Sequence, residues 1–110
     1  MKSGVKIIEP VGILDGTKGE TFRQQVYEAL DQGADTILID LKDVTFVDSS
    51  GLGILVAVLK RARTVQKKMY ICSVNDQVRM LFELSSMDRV FEVFHDRAEF
   101  EHKMVEAANA

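Results

Sequence analysis

The chain is predicted to be an α/β protein, a mixed and largely parallel sheet of about five strands packed with four helices. Three observations predict this. Short β-branched runs alternate with segments whose apolar residues recur at helical spacing. Strands separated by helices need right-handed crossovers, which makes the strands parallel and lays the helices on the sheet. The 110 residues, 46% hydrophobic and 28% charged, suit one core and leave no length for a second, so residues 1–110 are read as a single domain.

The elements follow in order. Val5–Ile8 and Val11–Leu14 are extended runs split by Glu9-Pro10, because proline donates nothing to a ladder. Asp15-Gly16 ends the second run, and Thr17 with Glu20 three residues on predicts a capping box. Phe22, Val26, Ala29 and Leu30 then mark a helix over roughly 18–32, stopped at Gln32-Gly33. Thr36–Leu41 is nearly all apolar, as a strand buried on both faces should be, and Val44–Val47 continues it past Lys42-Asp43. Leu55, Val58, Leu59, Ala62 and Val65 give residues 50–66 one apolar helical face, with Lys60, Arg61, Thr64 and Lys67 opposite. Met69–Val74 is the next strand, and Asn75 or Asp76 caps a helix traced by Val78, Leu81 and Phe82. Val90–Phe94 is a last short strand. Asp96 with Glu99 opens a closing helix through Phe100 and Met104, whose "AANA" end is expected to fray.

Between its two most apolar segments the chain reads Asp48-Ser49-Ser50-Gly51-Leu52-Gly53. A short turn from strand to helix sits at the carboxyl end of the sheet, where open α/β sheets expose their working sites. Asp48, Ser49 and Ser50 can each cap the helix, and a cap accounts for one of them. Two hydroxyls beside an acid, with Gly51 and Gly53 lowering the bulk around them, also suit a phosphoacceptor. A phosphate there meets free N–H groups and the positive dipole end while adding about −1.5 to −2 charges.

The stretch "LIDLKDVTFVDSSGLGILVAVLKRA" resembles the signature of STAS domains, specifically the stand-alone anti-sigma factor antagonists of bacterial partner-switching systems. "GILDG" at 12–16 and "VRMLFELSSMDRVFEVF" are similar to further parts of that family, so the resemblance spans nearly the whole chain. Two places depart from it: Gln66-Lys67-Lys68 stands where Gly-Gly is frequent, and Ser85-Ser86-Met87 where Ser-Gly-Leu is. The resemblance implies a phosphorylation-switched binding module without catalytic activity or cofactor. Ser49 is implied to be the residue phosphorylated by an ATP-binding serine kinase that is also the anti-sigma factor, with Asp48 shaping the loop. Ser50, Gly51, Leu52 and Gly53 are implied as the contact rim, with Asp15 as a lesser candidate. It further implies that the unphosphorylated form holds the anti-sigma factor, that phosphorylation releases it, and that a PP2C-type phosphatase resets the switch. A scaffold in a kinase cascade, or a regulator of a transporter, would carry the same fold and serine and stays open.

Other classes find less support. A Gly-x-Ser-x-Gly elbow is absent, and His95 and His102 read as surface residues, so a serine hydrolase lacks its base. Asp48 as an aspartyl-phosphate site would need Mg²⁺ held by further acids, and only Asp40 with Asp43 stands close behind a strand. No His or Cys spacing suggests a metal. The net charge of −3 and pI near 5.3 argue against nucleic acid, and the cluster Lys60, Arg61, Arg63, Lys67 and Lys68 suits a helix C-terminus. Cys72 reads as a small buried hydrophobe; Met80 and Met87, which flank the third-helix face, are expected to fill the core rather than to form an adaptable binding surface. With neither a leader peptide nor a membrane span in the sequence, a cytoplasmic location is expected.

Overall fold

The apolar run 36–47 does not stay in one strand. Asp40 Oδ1 accepts from the Lys42 N–H (3.0 Å) and the Leu41 carbonyl accepts from the Val44 N–H (3.0 Å), which turns the chain at Lys42-Asp43. The computed structural model, which describes residues 4–109, therefore has six strands. They are β1 (Val5–Ile8), β2 (Gly12–Leu14), β3 (Thr36–Asp40), β4 (Val44–Val47), β5 (Lys68–Cys72) and β6 (Val93–Phe94). The helices are α1 (Lys18–Asp31), α2 (Ser49–Thr64), α3 (Asp76–Leu84) and α4 (Arg97–Asn109). The α/β class and four helices match expectation; the strands, however, divide into a four-stranded sheet of order β1-β3-β5-β6 and a two-stranded sheet β2-β4, with every pair parallel. The frayed end expected at 107–110 lies partly outside the described residues.

Alternation along the central strands sets the layers. Ile37, Ile39, Met69 and Ile71 face a core shared with Phe22 and Val26 of α1, Leu55, Val58 and Leu59 of α2, and Val78 and Phe82 of α3. Leu38, Tyr70, Cys72 and Phe94 face the other way, onto Phe100 and Met104 of α4. Tyr70, Phe94 and Phe100 form a ring cluster with centroids 5.6–5.7 Å apart. Cys72 is buried and free, as its apolar neighbours suggested. No helix among the described residues is long and apolar enough to cross a membrane.

Three local expectations are corrected. Met80, expected to fill the core, stands 60% exposed on α3. Thr17 already has helical backbone angles and caps nothing; Asp15 Oδ1 instead accepts from the N–H groups of Thr17 (3.0 Å) and Lys18 (2.9 Å). The last strand shrinks to two residues because Met87–Arg89 winds into a 3₁₀ turn. The N–H groups of Val90 and Phe91 both bond back to the Met87 carbonyl (3.0 Å each) and are lost to the ladder. The other caps form as read: Asn75 accepts from Val78 N–H, and Asp96 accepts from Glu99 N–H (2.9 Å each).

Among the described residues one charged group lies inside. Asp40 is 2% exposed, and its Oδ2 accepts from Arg97 Nη2 at 3.0 Å, while Arg97 also pairs with Glu9. This ties the first turn of α4 to the carboxyl end of β3. Arg97→Ala orphans a buried carboxylate, which retains the Lys42 N–H; with Arg97 itself one-third exposed, a loss of about 2–3 kcal/mol is expected in urea titration. Arg97→Lys should recover part of it.

Surface pairing also predicts an acid limb. Lys42, then Arg97, hold the Glu9 carboxyl below the usual carboxylate range, and Lys67 does the same for Asp35 (2.9 Å). A carboxyl whose folded pKa is depressed stabilises fully above its unfolded pKa of ~4 and loses that contribution as pH falls through the folded value. Melting temperature should therefore fall below pH ~4, and the double variant Glu9→Gln, Asp35→Asn should flatten that limb.

Candidate functional site

Val47 is fully buried, and the chain leaves β4 there to start α2 at once. Asp48 takes the N-cap position in extended conformation, and its Oδ1 accepts from the Gly51 N–H at 2.8 Å. The first intrahelical bond runs from Leu52 N–H to the Asp48 carbonyl (2.9 Å). Asp48 is thus committed to capping, whereas the amides of Ser49 and Ser50, the first two of the helix, have no intrahelical carbonyl to reach.

Ser49 and Ser50 both lie at the surface but differ in surroundings. Ser50 faces the β2–α1 loop: a Cβ built on Gly16 would lie 3.6 Å from Ser50 Cβ and 3.9 Å from its Oγ. Ser49, one residue earlier, is exposed and its hydroxyl makes no hydrogen bond among the described residues. Hydroxyl, free amides and helix start coincide at Ser49.

The glycines divide in role. A Cβ on Gly51 would fall 2.8 Å from the Leu14 carbonyl carbon, nearer still to its oxygen, and 3.2 Å from Val47 Cγ1. Gly51 therefore exists so that the end of β2 can touch the start of α2. Nothing lies within 4 Å of the position a Gly53 Cβ would take. Glycine there answers no packing constraint and leaves open space near the serines. Leu52 is half-buried against the core.

Asp15 is brought close through this packing, yet its carboxylate caps α1, so its first task is structural. Sequence reasoning missed two neighbours. Ile13 and Phe46 are register partners on β2 and β4 and stand 46% and 45% exposed, an apolar pair on the sheet that feeds the serine loop. The sequence predicts extended runs at both positions, but only the parallel β2-β4 pairing reveals that their outer faces share one surface. Among the described residues no group of His, Cys, Asp or Glu is arranged to hold a metal ion. His95 and His102 are exposed, and the His102 imidazole pairs with Glu106.

With this geometry in view, the STAS domain profile matches residues 1–100, and the chain belongs to the STAS domain family. It is 30% identical to the anti-sigma F factor antagonist of Paenibacillus polymyxa over 92 residues, spanning 83% of this chain and 79% of that protein. The crystal structure of TM1081 from Thermotoga maritima superposes with a TM-score of 0.84 at 25% identity, covering 94% of this chain and 89% of that one. The anti-sigma factor antagonist SpoIIAA in its unphosphorylated form gives a TM-score of 0.71 at 20% identity over 96% of this chain and 93% of that one. Bacillus SpoIIAA has also been solved in its phosphorylated form, with a TM-score of 0.70 at 20% identity over 92% of each chain; at this identity both SpoIIAA structures show the fold.

Proposed function

We propose that this protein is an anti-sigma factor antagonist, a binding module that holds an ATP-binding anti-sigma factor kinase when unphosphorylated and releases it when Ser49 carries phosphate. A PP2C-type phosphatase restores the binding form. The observation that carries the reading is the free, exposed Ser49 hydroxyl at the first turn of α2, one residue after an aspartate already used as the cap. Membership of the STAS family and similarity to an anti-sigma F factor antagonist support the antagonist role.

The chemistry follows from the site. The kinase transfers the γ-phosphoryl group of ATP to Ser49 Oγ; the bond to the β-phosphate oxygen breaks, ADP leaves, and the kinase takes the hydroxyl proton. The chain itself contributes presentation. Its two unbonded amides and the positive end of α2 stabilise the product ester, while Asp48 repels it. A doubly charged group then occupies ground where a partner would pack against Ile13, Phe46 and Gly53. An interface of about 1,200–2,000 Å² would cover this patch.

The test is incubation with candidate serine kinases and ATP followed by mass mapping. One phosphate on Ser49, absent in Ser49→Ala, is expected; modification confined to Ser50 or elsewhere contradicts the reading. Gly53→Ala supplies a second check. Removing a helix glycine that touches nothing should raise stability by up to about 1 kcal/mol, while the added methyl should weaken partner binding. Raised stability with unchanged affinity would exclude Gly53 from the contact rim.

A further inference from the structure

The two-stranded sheet β2-β4 is completed from its far side by side chains. Two strands alone are marginal in water, and among the described residues β4 has no strand partner beyond β2. The first turn of α3 takes that place. Asn75 Nδ2 donates to the carbonyls of Val44 (3.3 Å) and Thr45 (3.2 Å). Gln77 bonds the main chain of Val47 twice: its Oε1 accepts from the Val47 N–H and its Nε2 donates to the Val47 carbonyl, both at 2.9 Å. These are the two bonds a neighbouring strand residue would make, and only a carboxamide side chain supplies both donor and acceptor in this way.

Val47 stands two residues before Ser49. On the other side of the same exit, the Asp48 N–H leans on the Leu14 carbonyl at 3.4 Å, a long bond. The stronger hold on the chain entering the serine loop is thus Gln77. We propose that Gln77 is a positioning residue for Ser49, fixing the departure of β4 so that the hydroxyl is presented in one orientation to the kinase. This rests on the reading of Ser49 as the phosphoacceptor. Loss of the clamp lets the loop wander, and small misplacement of a reacting group is costly in rate.

The experiment compares wild type, Gln77→Met and Gln77→Glu, below their melting temperatures, in Ser49 phosphorylation kinetics and amide hydrogen exchange. Glu keeps the acceptor for Val47 N–H but not the donor, and it decides the matter if the Met variant fails to fold. Gln77→Met should lower kcat about tenfold with KM within about twofold, and speed Val47 and Ser49 amide exchange about tenfold; Gln77→Glu should fall between. A merely structural residue would lower melting temperature and leave kcat and KM at wild-type values, and that result overturns the proposal. If wild type takes no phosphate on Ser49, the acceptor reading fails alone. Exchange then judges the clamp: faster in the variants supports it, unchanged refutes it.

Discussion

Gly51→Ala is expected to destabilise the protein by about 3 kcal/mol or more, toward the upper end of the overpacking range. The reason is the rigidity of what the new methyl meets. It would sit on the Leu14 carbonyl, main chain at the end of β2, with Val47 Cγ1 closing the other side. No rotamer change relieves a backbone clash, so β2 and α2 must separate. That separation also pulls at the Asp48 N–H bond to Leu14 and moves the Asp15-Gly16 loop away from Ser50. At roughly 4–8 °C per kcal/mol for a domain near this size, the melting temperature should drop by about 12–24 °C. A melting curve within a few degrees of wild type would show that the β2–α2 contact is not as close as described.

The second large effect is functional. Ser49→Ala should bind the anti-sigma partner with wild-type affinity, resist phosphorylation and remain bound when ATP is added. Ser49→Asp should bind at least about tenfold more weakly, because a carboxylate at this exposed position brings charge and bulk to the docking patch beside Asp48. Aspartate carries less charge than phosphate, so its effect is the smaller of the two. Neither substitution touches the core, and both variants should melt within a few degrees of wild type. Equal binding by all three proteins, with and without ATP, would remove Ser49 from the switch.

How much of this was legible in the sequence depended on the range of each interaction. The caps by Asp48, Asn75 and Asp96 bridge three residues and follow from local pattern. Thr17 failed because Asp15, two residues earlier, bonds the Thr17 and Lys18 amides and winds Thr17 itself into helical backbone angles, so no cap forms there. The division of 36–47 turned on Lys42-Asp43, polar residues that a strand edge tolerates equally well; the Asp40 turn decided it. Gly51 could be read as a site of close approach, but its partner Leu14 is a matter of sheet pairing. Gln77 was silent, since an amide in a first helical turn carries no signal that it will pair with a strand 30 residues away. The serine motif was legible because its cap, its hydroxyls and its glycine are consecutive.

The decisive measurement is a calorimetric titration of the anti-sigma factor kinase with two preparations of this protein, one fully phosphorylated on Ser49 and one unmodified. A Kd at least about 100-fold weaker for the phosphorylated form, some 2.7 kcal/mol, is predicted. The same Kd for both would contradict the claim that esterifying this one hydroxyl dismantles the complex.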